Sequence, residues 1–398
     1  MNKYQVHFKR FLAQLAQPRI LYTLMFVLAL GVSIQSLLEG TRQLDGGEYT
    51  HYNNYLIFKQ SFYHLIHNQD LYAYYASEHF DLFKYSPTFA LLFAPFALLP
   101  DFLGLSLWNV FNLLIFVFAL FTLPNYSVKT ISLIVLLSIF EIITTAQNEQ
   151  SNTLIIALFI FAFSSLERRQ YFIAALFLVL SIYLKLYGIV AFSLFLFYPN
   201  KIKLTAYSVF WLVGLFFLPL IFIEYHQLLF NYKSWLALLT REHDQIYGIS
   251  VMGWLSTWFG YERSKFFPVL IGIMLFCLPL LRISNYKCYS YRLLGLCSVL
   301  IWVVIFNHRA ESASYIIAYT GIAIWFVLGK QSLWEKLLML FAFVFITLSP
   351  TDLFPKYLRE EYVQAYSLKA VPAILIWLLI LIQMWKPQEE EFANNLER

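Results

Sequence analysis

The chain has 398 residues, of which 60% are hydrophobic, 20% aromatic and only 13% charged, with a mean hydropathy of +0.64. A soluble domain is about half apolar and a quarter charged, so ordinary soluble folds are excluded and the chain belongs in a bilayer. The formal charge of +5 scatters its 28 Lys and Arg in short clusters between apolar runs, where a nucleic-acid interface would gather them on one face.

In chain order, Lys3, Lys9, Arg10 and Arg19 precede an apolar run from Ile20 to Leu38, long enough for a helix of about 30 Å. This predicts a signal anchor with a cytoplasmic N-terminus. A cleaved signal peptide competes, because Ala29 to Ser33 is rich in small residues, but the run is longer than an ordinary h-region. Further spans are predicted at 104–123, 130–146, 152–166, 171–185, 187–198, 204–223, 267–281, 293–306, 315–329, 336–349 and 370–385. The expected fold is all-α, a single polytopic membrane domain over residues 1–398 with about twelve transmembrane helices. The two runs flanking Lys185 are short enough to be half-helices meeting within the membrane. Cys277, Cys288 and Cys297 lack metal-ligand spacing and read as inert.

With this phase, the loops bearing Arg168/Arg169, Lys201/Lys203, Arg282/Lys287/Arg292 and Lys330/Lys336 share the side of the basic N-terminus, as the positive-inside rule requires. Both termini are then cytoplasmic and the protein is a multi-pass component of the cell inner (plasma) membrane. The external face receives most carboxylates and the long loops 39–87, 224–266 and 350–369. In the first loop Tyr55, Phe58, Phe62, Leu65 and Ile66 recur at helical spacing between Lys59, Gln60, His64 and His67, predicting an interfacial helix. The loop 224–266, with Tyr225, Tyr232, Trp235, Tyr247, Trp254 and Trp258, reads the same way.

Walker, GxGxxG, GxSxG, CxxC and HExxH patterns are all missing, so chemistry must come from polar residues at the external membrane face. Five places stand out. Asp45-Gly46-Gly47-Glu48 through Asn53-Asn54 crowds carboxylates, a histidine and amides, against the plain alternative of a solvated loop. Asp70 through Thr88, running into Pro95 and Pro100, suggests a broken or re-entrant segment or an ordinary helix end. Gln147-Asn148-Glu149-Gln150-Ser151-Asn152 suits a polar ligand such as a sugar, or is a tight turn. Lys185 either snorkels to the surface or meets an anionic group such as a lipid phosphate. In Asn307-His308-Arg309-Ala310-Glu311-Ser312, Arg309 either chelates a phosphate or pairs with Glu311.

Asp70-Leu71-Tyr72, Tyr85-Ser86-Pro87-Thr88, Pro95, Leu99-Pro100, Leu107-Trp108-Asn109 and Asn112 resemble the N-terminal signature of the glycosyltransferase 87 family, in which G-x-x-L-Y is followed by Y-x-P, P, L-P and L-W. Gln147 to Leu154 is similar to that family's G-Q-x-N-x-L stretch, and Ala174-Ala175-Leu176 through Lys185 to its A-x-L-x-L-x-x-x-x-K segment. The resemblance spans residues 45 to 200 and fades over the C-terminal half. It implies a GT-C type enzyme that takes a sugar, hexose or pentose, from a polyprenyl phosphate. Two departures matter. Asn54 stands where the family carries its first-loop aspartate, and an amide cannot take a proton. The family's S-P-x-x-W-x-H-H pattern is replaced by Asn307 to Ser312.

The expected function is therefore transfer from a polyprenyl-phosphate sugar to an envelope glycan or glycolipid on the external face, with a transporter or flippase of lipid-linked sugars as the alternative. Glu48 is the favoured general base, with Asp45 second because the Gly46-Gly47 pair lets it swing into solvent. Lys185, Arg309 and His308 are expected at the donor phosphate. Asn54, Tyr85, Gln147, Asn148, Glu149, Asn152 and Glu311 are expected at the sugar or acceptor. No cofactor is called for, and a divalent ion is compatible without being indicated. The expected partners are the lipid-linked donor, the acceptor and membrane lipid.

Overall fold

The computed structural model describes residues 17–44, 47–241 and 247–387. The architecture is all-α apart from one hairpin. Its helices are α1 (Pro18–Leu38), α2 (Asn53–Ile66), α3 (Pro87–Leu92), α4 (Asp101–Thr122), α5 (Val128–Leu137), α6 (Ile139–Gln147), α7 (Asn152–Glu167) and α8 (Tyr171–Leu184), followed by a 3₁₀ segment, Leu186–Phe197. Then come α9 (Lys201–Phe217), α10 (Tyr225–Arg241), α11 (Val251–Phe259), α12 (Phe266–Leu280), α13 (Tyr289–Ile305), α14 (Tyr315–Leu328), α15 (Leu333–Ala342) and α16 (Ala370–Trp385).

A helix forms at each predicted span, but the count of about twelve crossings is not reached on length. Among the described residues, three helical stretches, Pro18–Leu38, Asp101–Thr122 and Lys201–Ile221, are long and apolar enough to cross a membrane. A fourth is gained if α5 and α6, bent by 58° at their junction, count as one span. The remaining apolar helices have 10–17 residues, below the roughly 20 that a straight crossing takes. Helices α9 and α12 turn apolar side chains outward, among them Ile202 at 87% and Phe266 at 62% exposure, which water would not tolerate as a continuous face.

The core joins α1, α4, α7, α13, α14 and α16. Small polar residues stitch its helices together: Asn109 of α4 donates to Ser33 Oγ of α1 (3.0 Å), and Thr153 of α7 to Asn112 Oδ1 of α4 (3.2 Å). Such bonds hold helices where lipid provides no hydrophobic drive.

Side-chain contacts sort the loops into two ends. At one end Glu167 closes α7 and binds Arg292 (Nε–Oε1 2.6 Å, Nη2–Oε2 2.7 Å) and the Tyr198 hydroxyl (2.5 Å), while Arg168 donates to the Thr122 carbonyl. Lys201 lies three residues beyond Tyr198, so the loops bearing Arg168, Lys201 and Arg292 meet at this end. At the other end lie the 147–152 turn, Lys185 and residues 307–315.

Lys185 joins two descending and ascending strokes of unequal pitch. Helix α8 rises about 21 Å over 14 residues, and the 12-residue 3₁₀ segment returns about 24 Å at its longer rise per residue. Tyr198 therefore arrives back beside Glu167, and Lys185 sits at the bundle end, not at mid-depth where two half-helices would meet.

In the first long loop, Thr41–Leu44 (β1) and Gly47–Thr50 (β2) pair antiparallel, with Gln43 opposite Glu48. The aromatic stripe forms α2 as predicted. Its Asn53 side chain grips the backbone of Phe80 twice, donating to the carbonyl and accepting from the amide, each at 2.8 Å. Between Ser86 and Pro100 the chain makes α3 and one further short turn, Ala94–Ala97, as a broken helix. Ser86 caps α3 from Phe89 N and donates to the Tyr183 carbonyl (2.6 Å), which fastens the segment to α8.

Candidate active site

The centre of the site is the turn after α6. Glu149 N bonds the Ala146 carbonyl and Gln150 N that of Thr145, the paired bonds of a Schellman stop. Glu149 thereby holds the left-handed position, φ +48°, where glycine ordinarily relieves the Cβ clash. Its carboxylate is buried with 1% exposure and accepts from Ser36 Oγ at 3.4 Å, while Trp108 Nε1 donates to its carbonyl at 2.7 Å. Burial lifts the Glu149 carboxyl well above the usual carboxylate range, against opposing pulls from Ser36 and Arg42.

Glu149 borders a polar cavity of about 280 Å³ whose walls include Ser36, Arg42, His51, Asn53, Asn54 and Gln147. Asn54 donates to the Asn148 carbonyl (2.9 Å) and Gln147 to Gln35 Oε1 (3.2 Å). Asn148 also lines this cavity and donates from its amide back to Thr144 O (2.8 Å), capping α6.

The opposite side of the same turn meets the cations. Lys185 Nζ donates to Asn152 Oδ1 (2.8 Å) and lies 5.7 Å and 5.9 Å from the ring centres of Tyr85 and Tyr187. Asn152 in turn donates to the Ala313 carbonyl (2.8 Å) and to Gln150 Oε1 (2.7 Å), and Gln150 donates to Glu311 Oε2 (2.9 Å). Burial brings the Lys185 ammonium down to about 8, with Glu311 pulling upward. Burial likewise lowers Arg309, opposed by Asp81 and Glu311. Ser151 Oγ donates to the Tyr85 oxygen at 3.3 Å, and burial raises the Tyr85 phenol. Lys185, Arg309, Tyr85 and the amides of Gln150 and Asn152 thus gather around Glu311, which attracts both cations.

The segment carrying Arg309 and Glu311 is held from two directions. Ile249 N donates to the Ala310 carbonyl (2.7 Å). Gly248, at φ +56°, passes so close to it that a Cβ there would stand 2.6 Å from the His308 carbonyl oxygen. From the other side Lys369 Nζ donates to Glu141 Oε1 (3.0 Å) and to Ser312 Oγ (2.9 Å) and carbonyl (3.1 Å), with Glu141 fully buried.

Of the residues expected at the site, Lys185, Arg309, Tyr85, Gln147, Glu149, Asn152, Asn54 and Glu311 converge on the 147–152 turn. His308 contributes its carbonyl to the packing of Gly248. Glu48 stands on the exposed face of β2 and accepts from the Thr41 hydroxyl, whereas Tyr49 beside it turns inward to the Ala76 carbonyl. Strand alternation sends neighbours to opposite faces, so with Tyr49 turned inward Glu48 is directed outward. Asp45 lies outside the described residues. Sequence reasoning singled out the stretches holding Asp81 and Asn53 but missed their partners, Arg309 and Phe80, and missed the Glu141–Lys369 pair, whose only sequence signal was a lone acid and a lysine beside apolar runs.

Comparison with known proteins gives two findings. No curated protein matches the chain. The model of glycosyltransferase family 87 matches residues 83–350, which starts later than the likeness in the sequence suggested and carries on through the 307–315 segment where that likeness faded. With two thirds of its length matched, from the α3 region through the cationic cluster to the end of the α15 region, the chain belongs to glycosyltransferase family 87.

Proposed function

We propose that this glycosyltransferase moves a hexose or pentose from a polyprenyl phosphate to a glycan or glycolipid acceptor on the external face of the cell inner membrane. The observation that carries this reading is the pairing, across one turn, of a buried carboxylate at Glu149 with the half-buried cations Lys185 and Arg309. Lys185 and Arg309 hold the donor phosphate by charge-assisted hydrogen bonds, and Gln150, Asn152 and Tyr85 border the sugar. Glu149 takes the proton of the acceptor hydroxyl as its oxygen bonds to the anomeric carbon. The carbon–oxygen bond to phosphate breaks in the same displacement, its electron pair stays on the phosphate, and the configuration inverts.

Glu149 is preferred to Glu48 as the base because it is enclosed and borders the cavity, whereas Glu48 is exposed. Its environment makes the carboxylate a stronger proton acceptor than a solvated one. Asn54, at the family's aspartate position, orients the turn by holding the Asn148 carbonyl.

In the membrane arrangement that goes with this function, the short helices cross as a packed bundle, giving about twelve passes, with the basic end and both termini cytoplasmic. The loops 39–87 and 224–266 place α2, α10 and α11 at the external interface. Purified protein in nanodiscs, incubated with a panel of radiolabelled polyprenyl-phosphate sugars, should release label from at least one donor, to acceptor or to water. A protein that binds none and turns over none would refute the proposal.

A further inference from the structure

A second, larger cavity of about 690 Å³ opens beside the site, between the first loop and α10. Its walls include Asp70, Tyr74, Phe80, Asp81, Ser234 and Arg241. Both Asp70 oxygens accept from Ser234 Oγ (3.0 and 3.2 Å), and Oδ1 also from Tyr72 N (3.0 Å). That carboxylate is fixed in place while retaining acceptor capacity, since a carboxylate offers about four lone-pair sites. Tyr74 leaves its ring 53% exposed.

The two cavities stand back to back. Asn53 lines the small one and Phe80 the large one, and the double hydrogen bond between these residues, 2.8 Å each way, is the wall between them. Asp81 completes the link, lining the large cavity while attracting Arg309 of the cationic cluster. A ligand with its reacting hydroxyl at Glu149 and length to spare would pass over this wall.

The chemistry of the large cavity differs from that of the phosphate cluster. Asp70 is held by Ser234, and Asp81 is paired with Lys84 (2.7 Å), so with Arg241 on the wall the charges are balanced and no surplus of cations favours an anion. Aromatic faces beside carboxylates and a guanidinium instead match a ring with an apolar C–H face and an edge of hydroxyl donors and acceptors. The volume lies within the range of about 300–1,000 Å³ of small-molecule sites, more than one sugar ring requires. We infer that the cavity walled by Asp70, Tyr74 and Asp81 is a subsite for an uncharged saccharide, occupied by a sugar unit of the acceptor beyond the one that reacts. The acceptor is then a neutral glycan of at least two units. This rests on the proposed transferase reading for the word acceptor, and on the cavity alone for the saccharide.

Saturation-transfer NMR on the full chain in nanodiscs tests it with two probes, a panel of neutral disaccharides of glucose, galactose and mannose, and undecaprenyl phosphate. At least one disaccharide should bind, more strongly than its methyl monosaccharides. Asp70→Asn, which keeps shape, and Tyr74→Ala, which alters an exposed ring, should each weaken it about tenfold, the loss expected for one charged hydrogen bond or a ring contact. Undecaprenyl phosphate binding should be unchanged in both variants. Disaccharide binding without undecaprenyl phosphate binding would support the subsite and sink the donor reading. Undecaprenyl phosphate binding with no disaccharide bound, or with disaccharide binding indifferent to both substitutions, would overturn the subsite and leave the donor reading standing.

Discussion

The basic end of the helix bundle and the 147–152 turn with Lys185 treat charge in opposite ways. At the basic end Glu167 and Arg292 form a two-pronged pair, with side chains 11% and 14% exposed, and the tyrosine hydroxyl of Tyr198 completes it. At the other end Lys185 rests on a neutral amide and two tyrosine rings, and Glu149 on a single long bond from a serine. Charges that are matched at once cost little more to keep, whereas buried charges left short of a partner are maintained only where something else supplies the balance. On the proposed reading, one end is construction and the other receives the substrate.

Substitutions that exchange the expected behaviour of the two ends would break that contrast. The largest effect should come from Glu149→Gln, which keeps size but removes basicity: turnover should fall by roughly 10²- to 10⁴-fold with undecaprenyl phosphate binding retained. Glu48→Gln should leave turnover near normal, and a collapse there instead would return the base to the hairpin. At the basic end Arg292→Met should lower stability by about 3 kcal/mol, as expected when one partner of a buried pair is removed. The folded fraction should keep its donor affinity, measured by thermal unfolding and binding on one preparation. Lys185→Met and Arg309→Met should each weaken undecaprenyl phosphate binding by about 10- to 100-fold through the loss of a charge-assisted hydrogen bond, with little change in unfolding temperature.

The smallest effect is a pH limb. Lys185 carries its charge below about 8 and loses it above, so kcat/KM should decline as pH rises through about 8. Lys185→Arg, whose guanidinium stays charged, should remove the decline while activity persists at higher pH. On the acid side Glu149 must be ionised to act, and its carboxyl is raised. Activity should therefore be lost, as pH falls, at a higher pH than an ordinary carboxylate would give.

The helices were legible because apolar runs bounded by polar turns leave little choice, and the ends of α1, α7 and α8 fall within about two residues of their predicted limits. The crossing count was less legible, since an apolar run of 12–17 residues has the composition of a span without its length. The hairpin β1–β2 was announced by Asp45-Gly46-Gly47, a short-range hairpin signal that the flanking polar strands disguised as a flexible stretch. Once it is seen as a strand, Glu48 must face away from Tyr49. At the site, polar residues stranded among apolar ones, such as Gln147–Asn152 and Lys185, identified themselves by their expense. The partnerships Asp81–Arg309 and Glu141–Lys369, the latter 228 residues apart, have no local pattern, because only the folded bundle brings them together.

The bond from Lys369 to Glu141 and Ser312 sets a calendar for the growing polypeptide. Every other residue of the phosphate cluster has left the ribosome by the time Glu311 emerges, yet the segment holding Arg309 and Glu311 keeps one side unfastened until Lys369, at the threshold of the final helix α16, reaches it. A chain cut short of Lys369 contains Lys185, Arg309 and Glu311 and lacks the bonds that fasten their segment to α6, so it should fold with residues 307–315 held from one side only.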